Sequence, residues 1–151
     1  MEYLDLARRL AALNKKMLKI PAYVKMTESN RGEGVLLSYL ARHCGKATPA
    51  ELSGDLQVSS ARIAALLNKM ERKHLVKREK HLQNSRNVMV RLLPAGQERY
   101  EQQREEFFEK TMDFFHRLGE ERAVLFVELQ EELMNFLKKD RERGDIDGAS
   151  D

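Results

Sequence analysis

The side chains that could do chemistry are concentrated in residues 48–93. Two serines, Ser59 and Ser60, open a predicted helix, and Arg62 follows within its first turn. Hydroxyl groups and the backbone N–H groups of a helix start bind phosphates, and an arginine can pair bidentately with guanine. This pattern favours contact with nucleic acid over catalysis.

The same predicted helix carries further residues suited to a DNA groove. Ala61 and Ala65 face directly away from its apolar stripe and are small enough to touch a thymine methyl group. Lys69 and Lys73 lie further along and are expected to meet phosphates. Each of these charges could alternatively be an ordinary solvated surface group, but as a set they indicate a binding face.

Local signals predict the elements that position these residues. Thr48 and Glu51 form the ends of a Thr-x-x-Glu capping box, with proline at the first helical position. Ser59 caps the next helix eleven residues later, which leaves room for two helical turns and a tight bend. The second helix runs to about Lys73. Its predicted buried residues are Ile63, Leu66, Leu67 and Met70.

A basic two-stranded hairpin is predicted to follow these helices. Residues 75–80 form its first strand, 81–87 a mostly polar turn, and 88–92 its second strand. Val88, Val90 and Leu92 alternate with polar or flexible residues and are expected on one apolar face. A short helix, a turn, a second helix and a basic ribbon together predict a winged helix-turn-helix lobe over residues 33–93.

Helices are also predicted on both sides of this lobe. The expected organisation is one chain, 1–151, that is mainly α with a small β-hairpin wing. Dimerisation helices are predicted at 1–20 and at 97–139, the latter as two helices, 97–118 and 120–139. Residues 21–32 are predicted to be a connector with little fixed structure, and residues 140–151 a disordered tail. A helix is predicted at 33–44, with an inward apolar stripe at positions 36, 37, 40 and 41 and with Tyr39 off that stripe.

The terminal helices carry more apolar residues than one small domain can cover. Leu6, Leu10 and Leu13 form a stripe in the first helix, and phenylalanine pairs stand at 107–108 and 114–115. Each large apolar side chain left in water forgoes roughly 1.5–3 kcal/mol. A homodimer through the first, fifth and sixth helices is therefore predicted.

Composition and charge narrow the class of protein. The 151 residues are 42 % hydrophobic and 34 % charged, with a net charge of +3. Residues 69–91 hold eight Lys/Arg and two Asp/Glu, whereas residues 92–151 are acidic, which indicates an anion-binding face on a solvated protein. No membrane helix and no secretion signal are recognised, so a cytoplasmic location without membrane attachment is expected.

Enzymatic, metal and redox functions find little support. There is no glycine-rich phosphate loop, nucleophile elbow or Ser/His/Asp arrangement, so we expect no catalytic residues and no cofactor. The four histidines are scattered, and no metal site is expected. Cys44, the single cysteine, is expected to be a half-buried thiol; the alternative, a redox sensor, would require exposure and a lowered pKa.

The order of the motifs resembles the MarR family of winged helix-turn-helix transcription regulators over about residues 3–139. The matching stretches are Leu-Ser-Tyr-Leu-Ala-Arg-His at 37–43, Thr-Pro-Ala-Glu-Leu at 48–52, Val-Ser-Ser-Ala-Arg-Ile at 58–63, Met-Glu-Arg-Lys at 70–73, Val-Arg-Leu-Leu-Pro-Ala-Gly at 90–96 and Leu-Gly-Glu-Glu-Arg at 118–122. The resemblance implies a sequence-specific regulator, a repressor, that binds a pseudo-palindromic operator in double-stranded DNA as a homodimer. The alternative is a winged-helix module that binds protein.

Two positions depart from the family pattern. The wing usually carries Asp-x-Arg, but here Asn84 stands in place of the aspartate, with Arg86 kept as the minor-groove candidate. His74 stands where the recognition helix usually ends at glycine, and we expect it to adopt a left-handed conformation. The complete predicted DNA-binding set is Ser59, Ser60, Ala61, Arg62, Ala65, Lys69, Lys73, Asn84 and Arg86.

The resemblance also implies a cavity for a small-molecule effector, often anionic or aromatic, between the dimer helices and the DNA-binding lobe. The residues that could line it are Met17, Tyr23, Met26, Phe107 and Phe114. Ordinary core packing is the alternative for each of them.

Overall fold

The structure, a computed structural model, describes residues 2–81 and 84–147, with side chains for 2–80 and 88–140. They fall into two compact units, Met1–Phe108 and Glu109–Asp151. In chain order the elements are α1 (Tyr3–Met17), α2 (Pro21–Met26), a 3-10 helix (Glu28–Asn30), α3 (Glu33–Arg42), β1 (Lys46–Ala47), α4 (Pro49–Leu56), α5 (Ser60–Arg72), β2 (Val76–His81), β3 (Asn84–Leu92), α6 (Pro94–Leu118) and α7 (Glu120–Asp147). The predicted fold class, mainly α with a small β wing, is confirmed.

One hydrophobic core joins the helix-turn-helix to the wing. Helices α3, α4 and α5 meet around it, and β2 and β3 each add a fully buried valine. The buried residues are Leu36, Leu37, Tyr39, Leu40, Ala47, Leu52, Ile63, Leu67, Met70, Val76 and Val90. Because the wing strands share this core, the wing has a fixed attachment to the helices.

The wing is a three-stranded antiparallel sheet in the order β1-β3-β2. Val90 is fully buried and Leu92 packs against the core, as the alternation predicts, whereas Val88 is 37 % exposed. Strand β3 begins at Asn84, inside the predicted turn, and pairs with His81 after an irregularity in register. The second wing strand is therefore longer than predicted.

Segments judged irregular from the sequence are more ordered than expected. The predicted connector at 21–32 contains α2 and the 3-10 helix, because Pro21 starts a helix by occupying its first turn. Helix α7 continues to Asp147, past the predicted start of the tail, and residues 148–151 lie outside the described residues. Helix α6 begins at Pro94, three residues before its predicted start.

Three predictions about α3 and its end differ from the structure. Tyr39 was expected off the inward stripe but is only 7 % exposed, because its hydroxyl reaches Asp55 on α4 and donates a hydrogen bond to its carboxylate. The predicted stripe residue Ala41 is only half-buried. Cys44 is exposed instead of half-buried, since it lies in the turn after α3 with a φ of +58°.

The apolar surface of the terminal helices is exposed within each unit. No residue of α1 is buried, and Leu6, Leu10 and Leu13 are 44 %, 59 % and 47 % exposed. In the second unit, the described side chains of α7 include nine exposed large apolar residues: Val124, Leu125, Phe126, Val127, Leu129, Leu133, Met134, Phe136 and Leu137. Such faces are typical of subunit interfaces.

Candidate nucleic-acid interface

Two capped helices and a tight turn position the candidate interface. The Thr48 hydroxyl accepts from the backbone N–H of Glu51 at 3.1 Å, and the Glu51 carboxylate accepts from the N–H of Thr48 at 2.9 Å. This is the predicted capping box. Gln57 turns the chain with a left-handed φ of +54°, and Ser59 caps α5 by accepting from the N–H of Arg62 at 3.3 Å.

The predicted contact residues of α5 all point into solvent. Ser59, Ser60, Ala61, Arg62 and Ala65 are exposed. Ala61 and Ala65 lie opposite the buried Ile63, Leu67 and Met70, Arg62 lies on the flank, and the serines stand at the helix start. The Ser59 oxygen is occupied as a cap acceptor, but its O–H group remains a possible donor to a phosphate. The start of α5 therefore presents donors and small side chains together.

Sequence reasoning missed two residues of the same face. Asn68 and Arg72 continue the ridge of Ala61 and Ala65 at helical steps of three and four, and both are exposed. The same periodicity that identified Ala61 and Ala65 could have found them. Among the described side chains, Arg72 has no ion pair within 4.0 Å. By its position on the helix, Arg72 is the basic residue of α5 that lies most directly opposite the buried stripe.

A polar cleft separates this ridge from the wing. It has a volume of about 470 Å³ and is lined by Asn68, Glu71, Arg72 and Arg78. The Glu71 carboxylate accepts from the guanidinium and from the backbone N–H of Arg78, at 2.8 and 2.9 Å, and Arg78 also donates to Asn68. The guanidinium of Arg78 lowers the pKa of Glu71, outweighing the opposing effect of partial burial. The side chain of Arg78, on β2, is thereby held against α5.

The two lysines predicted to meet phosphates are held by a carboxylate of their own chain. Glu33 begins α3, and its oxygens lie 3.3 Å from the Lys69 nitrogen and 2.9 Å from the Lys73 nitrogen. Both lysines still have half or more of their side chains exposed. Their predicted role in phosphate contact thus remains a prediction.

The side chains of Asn84 and Arg86 lie outside the described residues, so their predicted contacts stay predictions. Their backbone lies in β3. In the described part of the wing, Glu79 forms ion pairs with Arg91 at 3.2 Å and with Lys77 at 3.7 Å. Glu79, like Glu71, therefore forms ion pairs with cationic side chains of the wing.

Tyr39 links α3 to α4, the first helix of the helix-turn-helix. The hydrogen bond to the Asp55 carboxylate raises the pKa of Tyr39 to about 12, because deprotonation would place two anions together. The ring stacks on His43 at 3.8 Å between centroids, and His43 Nδ1 donates to the Tyr39 carbonyl at 2.7 Å. These contacts fix the end of α3 beside the exposed Cys44.

The predicted effector-binding residues are divided between the two compact units. Met17, Tyr23, Met26 and Phe107 belong to the first unit and are half-buried. Phe114 belongs to the second unit, is 42 % exposed and contacts Phe126 edge-on at 5.6 Å. The effector site stays a prediction.

Metal-binding clusters and membrane-spanning helices are both absent from the described part of the chain. There, no group of three or more His, Cys, Asp and Glu side chains is arranged to hold a metal ion. Within the same residues, no helix combines the length and apolar composition needed to cross a bilayer.

The part of the chain that contains the helix-turn-helix and the wing matches a known protein family. Residues 35–109 match the family described as winged helix DNA-binding domain. This range covers α3 after its first two residues, both helices of the helix-turn-helix, the wing and the start of α6. No curated protein matches the chain significantly.

Solved structures of regulators share the fold. MepR of Staphylococcus aureus, a transcription regulator of the multidrug efflux pump MepA, is 23 % identical with a TM-score of 0.67, over 91 % of this chain and 99 % of that chain. A MarR family protein of Bacillus stearothermophilus is 21 % identical with a TM-score of 0.67, over 89 % and 94 %. A single-residue variant of MepR bound to an oligodeoxyribonucleotide is 23 % identical with a TM-score of 0.59, over 91 % and 99 %. At these identities the likeness concerns the fold.

Proposed function

We propose that this chain, which has the fold of the MarR-family regulators and carries a winged helix DNA-binding domain, is a transcription regulator that reads double-stranded DNA. In this proposal α5 enters the major groove, with Arg62 and Arg72 as the principal candidates for base and phosphate contacts. The wing follows the backbone beside it. The variant of MepR bound to an oligodeoxyribonucleotide, which shares the fold, supports DNA as the partner.

One observation carries the proposal: the exposed side of α5 presents donors, small residues and cations together. Ser59, Ser60 and Arg62 occupy its start, and Ala61, Ala65, Asn68 and Arg72 form an exposed ridge opposite the core. A helix of this shape, held by capped ends and attached to a wing, is the usual reader of the major groove.

A homodimer is the proposed binding unit. The exposed apolar residues of α1 and α7 support it, because burial between two copies would remove them from water. A two-fold dimer would present two copies of α5 to a pseudo-palindromic operator, with half-sites about 10 bp apart or a multiple of that spacing. Sedimentation of the wild type as a stable monomer at micromolar concentration would contradict the dimer. Leu133→Glu, which places a charge among the exposed apolar residues of α7, should convert the dimer to a monomer.

Repression and release by a small effector are proposed on the family resemblance alone. A repressor should lower transcription in vitro from a promoter that contains the selected operator. An effector should shift that operator's affinity, and replacement of Met26 or Phe107 by Ala should reduce the shift. A protein that raises transcription would overturn the repressor assignment.

Selection of bound sequences from random duplex DNA tests the central proposal. We expect enrichment of a palindrome whose halves are separated by about one helical turn. Salt-sensitive binding without an enriched motif would reduce the function to non-specific DNA binding. Absence of DNA binding would favour a winged-helix module that binds protein.

Matched arginine variants connect the binding to α5. Arg62→Ala and Arg72→Ala should each weaken binding, with a loss of about 1–3 kcal/mol where the guanidinium contacts a base. Arg117→Ala is the control, since its side chain is 77 % exposed in the second unit. Equal loss in all three variants would indicate general electrostatics instead of recognition by α5.

A further inference from the structure

We propose that Glu33 acts as an internal competitor of DNA: its carboxylate holds the ammonium groups of Lys69 and Lys73 and thereby sets the affinity and salt dependence of binding. The inference rests on the proposed function. It concerns a residue that lies just outside the matched winged-helix range and that sequence reasoning did not select.

The geometry places one carboxylate against two lysines of α5. Lys73 donates to both oxygens of Glu33, at 3.0 and 2.9 Å, and the Lys69 nitrogen lies 3.3 Å from one of them. Lys69 and Lys73 are one helical turn apart and share a flank of the helix with Arg62. The side chain of Glu33 is only 20 % exposed, whereas those of Lys69 and Lys73 are 58 % and 50 % exposed.

The charge state of Glu33 suits competition with a phosphate. Partial burial raises the pKa of Glu33, but hydrogen bonds and attraction from Lys73 and Lys69 lower it by more, so the pKa lies below the ordinary value of a glutamate. Glu33 is therefore an anion at neutral pH. Its two oxygens occupy the ammonium hydrogens that a DNA phosphate would otherwise accept.

The anchoring differs between the partners. Glu33 is fixed at the start of α3, while the lysines are long and mostly exposed and can turn towards another anion. Exposed ion pairs of this kind are weak. A phosphate can thus displace Glu33, but binding must first break the internal contact. Removing the charge of Glu33 should make both lysines available at once.

Glu33→Gln tests the inference because it keeps the shape of the side chain and removes its charge. Binding to a fluorescent duplex of mixed sequence and about two helical turns should be measured between about 50 and 200 mM salt. We expect the variant to bind about 5–10-fold more tightly near 0.1 M salt for each lysine that gains a phosphate contact, and the slope of log affinity against log salt to steepen by about 0.9 per contact.

Glu106→Gln is the matched control for the change in net charge. Glu106 also pairs with a lysine, Lys25 at 3.0 Å, but on α6 and α2, outside the helix-turn-helix. It should give a much smaller change in affinity and no change in slope. An equal gain in both variants would overturn the inference in favour of general electrostatics.

A combined variant separates competition from other effects of the substitution. In a Lys69→Gln/Lys73→Gln background, Glu33→Gln should give no further gain. If Glu33→Gln binds more weakly than the wild type, Glu33 orients the lysines for DNA and the inference is wrong; an unchanged affinity and slope also refute it. If neither the wild type nor Glu33→Gln binds DNA, the proposed function itself fails.

Discussion

The end of helix α5 should become more stable when His74 is replaced by glycine. His74 has a φ of +56°. Its backbone N–H donates to the backbone carbonyl of Glu71 at 2.9 Å, and the backbone N–H of Leu75 donates to the carbonyl of Met70 at 3.0 Å. This pair of hydrogen bonds is the Schellman motif, whose left-handed position usually holds glycine because glycine has no β-carbon.

The expected gain is the difference between two opposing effects. A left-handed conformation costs an L residue roughly 1–2 kcal/mol, and histidine stands near the low end because it adopts this conformation more readily than most residues. Glycine loses about 0.5–1 kcal/mol more backbone entropy on folding. The side chain of His74 is exposed, so little packing is lost. His74→Gly should therefore stabilise the chain by about 0.5 kcal/mol, or roughly 1–2 °C in Tm.

Thermal and urea unfolding at one fixed protein concentration measure this effect, because the stability of a dimer depends on concentration. His74→Ala is the control, since it removes the imidazole but keeps the β-carbon, and it should give no gain. Gly45→Ala tests the opposite sign: Gly45 has a φ of +75°, and an added β-carbon would meet only Leu92 Cβ at 3.8 Å. We expect it to destabilise by about 1 kcal/mol from strain alone. The reasoning is refuted if His74→Gly is no more stable than His74→Ala.

Three further outcomes follow from the hydrogen bonds of the lobe. Thr48→Ala should cost about 1 kcal/mol in urea unfolding by removing the cap of α4, whereas Thr48→Ser should retain most of it. Glu71→Gln should lose the stability that the Arg78 pair adds; this loss should be full above about pH 4.5 and shrink as pH falls through the lowered pKa of Glu71, as unfolding midpoints at several pH values would show. Asp55→Asn should lower the pKa of Tyr39 from about 12, measured by tyrosinate absorbance; in the wild type the contribution of this pair is present below pH 10 and is lost as pH rises towards 12.

The helix-turn-helix could be predicted from sequence because its signals are local. The capping box of Thr48 and Glu51 and the cap at Ser59 each involve residues three positions apart. The buried stripe of α5 follows the helical period, and Ile63, Leu67 and Met70 are buried as predicted. Such features need no knowledge of the rest of the chain.

Features that depend on distant partners were predicted less well. Tyr39 is buried because Asp55, sixteen residues away, accepts its hydroxyl hydrogen. Glu33 reaches Lys73 across forty residues, and no local pattern indicates that pairing. The regular structure of residues 21–32 likewise depends on the close approach of Glu28 to Gly34, since a β-carbon at Gly34 would come within 2.0 Å of the carbonyl oxygen of Glu28. Tertiary contacts decide each of these cases.

The positive charge available at the candidate nucleic-acid interface could likewise not be predicted from the sequence. Residues 69–91 carry a large excess of basic over acidic side chains, yet carboxylates of the chain already engage five of those cations: Lys69, Lys73, Lys77, Arg78 and Arg91. Counting residues therefore overstates the charge that is available to a phosphate without breaking an internal contact. Among the described side chains of α5, Arg62 and Arg72 have no such contact. If the protein reads DNA as proposed, sequence-specific recognition should depend most on these two arginines, and the paired lysines should set the affinity for DNA of any sequence.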